Sequence, residues 1–451
     1  MKITIVGGGN IGTQFAVHCA EKGHDVVVFT SNPRRFKTHL SVVDKEGNTL
    51  HEGDIRLATN DPAAAFRDAD MIMITMPPTM MIPLSEIIYD NTDEHTIIGF
   101  VPGNGGFEIA FRNCIVRGNV FFGIDRVPAI ARLNERGREV CCTGYKDKLY
   151  VAALPADKTE MCAALIESIY DIPCIRLPGF MALTLTPSNP ILHTARLKTI
   201  FEDYALGVTY DSIPLFYEEW NDASSELLLA CDDEIQAICK ALPGFGLEYV
   251  VSEREFYNAD TAEEMTRAIS SEESLVGLTT PSVDAEAAVV RSRGLEGIRS
   301  RRKQRKEAIS RHVERREHWR EYARSKRHAY HENTEGLSRI EKREFIVDRI
   351  RDRRSGAAPV ALIPDLHSRY FTADFPYGLA VIQQIAQIAG VCTPNIDGLI
   401  SWYDEIAVVN DKLLLSDYGI TDLESLKSYY NFRPQYADER STVVHNPESA
   451  R

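Results

Sequence analysis

Lys2-Ile3-Thr4-Ile5-Val6-Gly7-Gly8-Gly9-Asn10-Ile11-Gly12 is the stretch on which the architecture turns. Its β-branched run at residues 3–6 suits a strand buried on both faces. The run passes directly into Gly7, Gly9 and Gly12, spaced as G-x-G-x-x-G. In such a motif the first glycine permits the tight turn out of the strand. The second lets backbone approach a pyrophosphate, and the third lets the next helix pack against the sheet. The helix opening at Asn10 and Ile11 then presents unpaired N–H groups to the phosphates. An amphipathic pattern over residues 11–22 and a second strand at 25–29 supply the context that separates a dinucleotide site from a glycine-rich turn. The expectation is that this chain binds NAD or NADP.

Working outward, strand-like runs at 71–75, 96–101, 119–123 and 149–153 alternate with helical patterns at 62–67 and 158–169. That alternation predicts a parallel, doubly wound sheet. Residues 41–59 read as an inserted hairpin turning at Glu46-Gly47-Asn48. From about Met181 the spacing becomes helical, at 191–204, 222–242, 261–269, 379–389 and 396–408. The expected fold class is α/β: a Rossmann-type doubly wound sheet over residues 1–178, then an all-helical domain over 179–430. A tail follows at 431–451, and no internal repeat is found.

The 451 residues are 44% hydrophobic and 26% charged, which places the chain among folded globular proteins. No apolar run reaches the roughly 18 residues of a membrane span. The N-terminus reads as a buried strand, not a signal peptide, so a cytoplasmic protein is expected. The net charge of −14 conceals an asymmetry. Residues 291–354 hold 22 basic and 11 acidic side chains, net +11, inside a body near −25. This basic insertion, at about 284–360, reads as an exposed charge-laced helix or excursion. A docking arm on the acidic body or a partner subunit is the sharper alternative. An acidic body repels phosphate, so nucleic acid is not expected as a partner. Nine cysteines without a C-x-x-C pair read as reduced core thiols, and no metal centre is expected. Oligomeric state is left open, with a homodimer among the options.

An Asp or Glu ending the second strand would take the ribose 2′-hydroxyl of NAD. Here the sequence runs Phe29-Thr30-Ser31-Asn32-Pro33-Arg34-Arg35. Two hydroxyls and two arginines suit a 2′-phosphate, which favours NADP. The plainer reading makes both arginines solvated surface. Two further loops fall at carboxyl ends of strands, where open α/β sheets bind ligands. One contains Met76 and Pro77; the other is Pro102-Gly103-Asn104-Gly105-Gly106. Of the histidines, His18, His24, His39, His51 and His95 fall on helix surfaces or in loops. His193 opens the helical half, where it can serve hydride transfer as an acid–base group or be a structural histidine.

The ordered set of the Gly7-to-Gly12 motif, Pro102–Glu108, Asn189-Pro-Ile-Leu-His193, Ile213–Tyr217 and Arg369-Tyr-Phe-Thr-Ala-Asp-Phe-Pro-Tyr-Gly378 resembles the octopine/nopaline (opine) dehydrogenases. The resemblance covers residues 1 to about 430 outside the basic block. It implies NAD(P)H-dependent reductive condensation of an amino acid with a small 2-oxo acid. It makes His193 the catalytic proton donor and Asp374 the carboxylate paired with it. Arg369 becomes the anchor of the oxo-acid carboxylate. Asn104 stands where arginine-using relatives carry Gln, and Asp125 matches a Glu that helps hold the amino acid. Taken alone, Arg369 and Asp374 read equally as a surface ion pair. Two rival readings remain. One is a simple ketone or alcohol dehydrogenase of the 2-dehydropantoate reductase or glycerol-3-phosphate dehydrogenase type, for which Lys198 is the nearby lysine. The other is a non-catalytic dinucleotide sensor.

Overall fold

The computed structural model describes residues 1–205, 208–272, 275–285, 361–407 and 411–431. Most of the basic insertion and all but the first residue of the tail lie outside the described residues. Strands β1 (Lys2–Val6), β2 (Asp25–Phe29), β3 (His39–Val43), β4 (Thr49–Asp54), β5 (Leu57–Thr59), β6 (Met71–Ile74), β7 (Ile97–Phe100), β8 (Phe121–Ile124), β9 (Ala129–Glu135), β10 (Glu139–Tyr145), β11 (Leu149–Leu154) and β12 (Cys174–Arg176) build two sheets. The larger runs β12-β11-β8-β7-β6-β1-β2-β5. β1 lies between β2 and β6, with Ile5 opposite both Val28 and Met73. All neighbours are parallel except β11, which runs antiparallel to β8. The expected doubly wound sheet is therefore present, with two reversed strands, β11 and β12, at one edge. Ile3, Ile5 and Val6 at its centre are buried because helices cover both faces of such a sheet.

The expected hairpin at 41–59 divides in the structure. Its first part forms β3 and β4, paired antiparallel. Its last residues instead become β5, which joins the main sheet beside β2. β3 also pairs with β10, giving a second sheet of order β4-β3-β10-β9. The sequence reading assigns no strand to residues 129–145. β9 and β10 pair there as a local hairpin, and only Glu139–Cys141 of β10 find their second partner, Ser41–Val43 of β3, about a hundred residues upstream.

This second sheet overturns one expectation. Helix α1 (Asn10–Glu21) carries His18, read from the sequence as a surface group. The β4 side of the sheet covers it, leaving His18 only 2% exposed. Its ring packs on Tyr170, and its Nε2 shares a hydrogen bond with the Tyr145 hydroxyl at 3.0 Å. Burial, with smaller contributions from His51 and Lys22, pushes its pKa down to about 3.

The second half is helical, as expected, apart from a short antiparallel ladder of β13 (Ser282–Asp284) and β14 (Leu362–Pro364). The principal helices are α2 (Asn189–Ile200), α3 (Asp222–Ala241), α4 (Ala380–Ala389) and α5 (Pro394–Ile406). A π-helix, Tyr370–Leu379, leads into α4. The chain divides into two compact units: one of 1–199, 216–278 and 367–451, the other of 200–215 and 279–366. The dinucleotide-type sheet and the helices that carry His193 and Asp374 thus belong to one unit. Within the second unit, β13 and β14 pair and Tyr210 bridges to Leu362. Among the described residues no helix is long and apolar enough to cross a membrane.

Candidate active site

His193 sits on the first turns of α2, where Pro190 takes the first-turn position that tolerates its missing N–H. Gly378 on the π-helix faces that proline: a Cβ there would meet Pro190 Cγ at 2.6 Å. The missing side chain lets the two helices close together. Asp374, one turn back from Gly378, is thereby brought to His193. The carboxylate Oδ2 accepts from His193 Nδ1 at 2.8 Å, and the imidazole is 2% exposed. On its other edge, Nε2 meets the Tyr217 hydroxyl at 2.8 Å. With Nδ1–H donated to a carboxylate, the neutral ring leaves Nε2 to accept the phenol proton. Tyr217 keeps that proton, because burial, then Tyr370 and Tyr257, push its pKa well above the ordinary phenol value. Tyr370 closes the assembly, its ring 4.4 Å from the imidazole.

Arg369 immediately precedes the π-helix. The i→i+5 bonding of such a helix places residues five apart on one face, so Arg369 and Asp374 share it. In an α-helix they would diverge by about 140° at 100° per residue. The guanidinium lies beside the Tyr370 ring, 5.3 Å from its centroid. Burial disfavours its charge, but Tyr370 and Asp374 offset this, so it stays cationic.

Arg196 is a residue the sequence reading missed. It is fully buried, one turn past His193 on α2. Nε donates to the Phe216 carbonyl at 2.9 Å, Nη2 to the Glu219 carbonyl at 2.5 Å and Nη1 to Ser224 Oγ at 3.2 Å. Burial pulls its pKa down to about 10, and Glu219 opposes that shift. The bonds to Phe216 and Glu219 fasten both sides of Tyr217. Among neighbours such as Thr194 and Lys198 nothing in the sequence marked it.

The dinucleotide motif is arranged as its spacing predicts. Gly7 adopts φ +111°, and a Cβ on Gly12 would lie 1.9 Å from the Gly7 carbonyl oxygen. A Cβ on Gly9 would instead project into open space, the approach a pyrophosphate needs. No side chain caps α1, so its first N–H groups are free for an anion. The Asn10 side chain is already engaged, accepting from the Leu133 N–H at 3.0 Å, which leaves Asn10 its backbone for a ligand. Ile11 lies next to it in the same turn. Arg34 and Arg35 are exposed on a 3-10 turn that follows Thr30 and Ser31.

Asn104 is buried, and its Nδ2 has no hydrogen-bond partner. An orphaned buried donor on a loop leaving β7 is what a ligand-binding amide looks like before its ligand arrives. Asp125 is buried as well, but Oδ1 already accepts the Tyr150 N–H at 2.9 Å, and burial pushes its pKa up. It lines a cavity of about 380 Å³ with Arg126, Lys148, Tyr150 and Phe256. Arg126 reaches the Pro187 carbonyl at 3.4 Å, six residues before His193. The structure thus brings His193, Asp374 and Arg369 together. No hydrogen bond ties Asn104 or Asp125 to them among the described residues.

A family pattern described as NAD/NADP octopine/nopaline dehydrogenase, alpha-helical domain, matches residues 176–407, just over half of the chain. The chain belongs to the octopine/nopaline dehydrogenase family. A second pattern, NADP oxidoreductase coenzyme F420-dependent, matches residues 2–103. An uncharacterised protein, y4xO, of Sinorhizobium fredii is 35% identical over 262 residues, spanning 53% of this chain and 68% of its own. Octopine dehydrogenase of Mizuhopecten yessoensis is 22% identical over 432 residues, 90% of each chain. A solved octopine dehydrogenase with NADH and pyruvate shares the fold, with a TM-score of 0.66 at 19% identity over 96% of this chain and 99% of that one.

As an octopine/nopaline dehydrogenase family member, the chain is an NAD(P)-dependent oxidoreductase acting on CH–NH groups, with small molecules as substrates. The open approach at Gly9 and the uncapped helix fit such a dinucleotide. The Lys198 ammonium lies over the Trp402 ring, 5.7 Å from its centroid.

One electrostatic feature beside this region has a measurable consequence. Glu253 is fully buried, and neither of its carboxyl oxygens has a hydrogen-bond partner. Burial, with Asp232 adding, raises its pKa from 4.5 to about 7, against the pull of Arg126. The folded state therefore holds a proton that the unfolded chain releases above about pH 4.5. Stability should fall as pH rises from about 4.5 to 7 and then level off. Glu253→Gln should stabilise the protein by up to about 3 kcal/mol at pH 8, shrinking towards zero at pH 4.5. Urea unfolding at the two pH values measures this. An equal gain at both would show that ionisation is not the cause.

Proposed function

We propose that the chain condenses the amine of an amino acid with a small 2-oxo acid, pyruvate being the first candidate, and reduces the resulting imine. We further propose NADPH over NADH, residues 1–178 as the dinucleotide-binding part and residues 179–430 as the substrate part. The observation that carries the reading is His193 held at both nitrogens, by Asp374 and Tyr217, with Arg369 on the Asp374 face of the π-helix. A simple dehydrogenase reading would put Lys198 to work, and its place on Trp402 does not favour that.

In this reading Arg369 holds the oxo-acid carboxylate through its guanidinium fork. Asn104 donates its free Nδ2–H to an oxygen of the same substrate. Asp125 offers negative charge to the amino acid. His193 takes a proton from the substrate ammonium, which frees the amine to attack the ketone carbon. A C–N bond forms as the carbonyl oxygen takes a proton from the nitrogen. His193 returns its proton to the resulting hydroxyl, which leaves as water. A C=N bond whose nitrogen keeps one proton remains. The hydride for that carbon would come from a nicotinamide held at the Gly7-to-Gly12 turn. The nitrogen ends with a proton, leaving a secondary amine, and Asp374 steadies the imidazolium in the proton transfers. Met76 and Pro77, with Thr30, Ser31, Arg34 and Arg35, complete the proposed dinucleotide contacts.

The test is NADPH and NADH oxidation with pyruvate, with and without a panel of amino acids. Turnover should require both substrates and run faster with NADPH. Turnover of pyruvate that ignores every added amine would sink the condensation reading in favour of a simple dehydrogenase.

A further inference from the structure

His18 and Glu21 lie three residues apart on α1 and so share one face of the helix. β4 packs across that face. Alternation along the strand turns His51 and Gly53 towards the helix, and Gly53 allows a very close approach: a Cβ there would meet Ala20 Cβ at 2.7 Å and the Glu21 nitrogen at 2.9 Å. The consequence is a cluster in which one ligand atom from each of His18, Glu21 and His51 lies within 4.8 Å of the others. His51 Nδ1 already meets Glu21 Oε2 at 2.7 Å, and the two imidazole rings are 4.2 Å apart.

We propose that His18, Glu21 and His51 form a divalent transition-metal site, with zinc the cation that fits best. Two imidazoles and one carboxylate are a borderline N/O set, which suits zinc and its neighbours and not magnesium or calcium, both of which take all-oxygen shells. Zinc bonds of about 2.0–2.2 Å need a modest closure of the three atoms, and the partly exposed Glu21 and His51 can supply it. Their side chains are 36% and 31% exposed, so an ion has a path in and water a fourth position. With Nδ1 on the ion, His18 Nε2–H would donate to the Tyr145 hydroxyl 3.0 Å away, the kind of outer contact that orients a metal-bound imidazole. The cluster lies at the far end of α1 from the dinucleotide motif, about 16 Å along the helix. The ion would therefore staple the second sheet to α1 and take no part in hydride transfer, whatever the substrate proves to be.

The test uses the full-length protein, stripped with a chelator and dialysed against zinc, with bound metal measured by elemental analysis and the melting temperature by calorimetry. One equivalent per chain and a raised melting temperature are expected. His51→Ala and Glu21→Gln should each weaken binding by more than the roughly 10–100-fold that losing an outer contact of a ligand costs, and abolish the temperature rise. Retained NADPH oxidation would show that these variants fold. Cobalt in place of zinc should give a d–d spectrum without sulfur charge-transfer bands. Binding that survives both substitutions, thiolate bands from the free cysteines, or no bound zinc would each overturn the proposal.

Discussion

His193→Gln is expected to lower kcat about 10²–10⁴-fold, the range over which a positioned acid–base group acts, while dinucleotide affinity stays unchanged. Glutamine can keep a polar contact with Asp374 or Tyr217, but it cannot take up and release a proton. The Gly7-to-Gly12 motif is on a different element, so fluorescence titration with NADPH should give the wild-type Kd. Tyr217→Phe sharpens the result. Nε2 is the nitrogen that Asp374 leaves free, and the Tyr217 phenol occupies it. A substrate must therefore displace that hydroxyl or receive its proton through it. Displacement predicts a small change in kcat for the phenylalanine variant. Passage through the phenol predicts a loss as large as that of His193→Gln. Wild-type kcat in the His193 variant would remove His193 from the mechanism.

Arg196→Met should destabilise the protein by about 2–4 kcal/mol, since it removes hydrogen bonds from a charged donor at roughly 1.5–3 kcal/mol each, partly offset because a charge is no longer buried. Methionine fills much of the volume but donates nothing. The Phe216 carbonyl would lose its partner inside the protein, at about 1–3 kcal/mol for a buried group left unsatisfied, and the Glu219 carbonyl would lose its own at a more exposed position. The urea midpoint should fall with little change in slope. Because those two carbonyls flank Tyr217, activity should fall below what the unfolded fraction explains. A midpoint unchanged from wild type would show that water reaches the guanidinium and that the network is not buried in solution.

How much of this was legible beforehand depended on how local the cause was. The Gly7, Gly9 and Gly12 roles follow from backbone sterics within six residues, and the structure places them as the spacing implies. His193, Asp374 and Arg369 were legible only through motif order, since nothing local makes a histidine catalytic. Tyr217 stood inside a quoted motif without a role, and Arg196 stood outside every motif. His18 was misread because a lone histidine on a helix carries no mark of what will cover it.

The chain's own pattern of β-branched runs, glycines and helical spacing determined the Rossmann-type sheet, the dinucleotide turn and the helical second half. These are short-range consequences of φ/ψ preference and of which faces must be buried. Only the tertiary structure decided that Glu139–Cys141 would pair with Ser41–Val43, a hundred residues earlier, and that β4 would bury His18 beside His51. It alone decided that residues 370–379 would wind as a π-helix, turning Arg369 and Asp374 onto one face. And it decided that Gly378 would admit Pro190, bringing Asp374 to His193 across 181 residues of chain. Such contacts depend on shape fit between distant segments, and no window of sequence contains both partners.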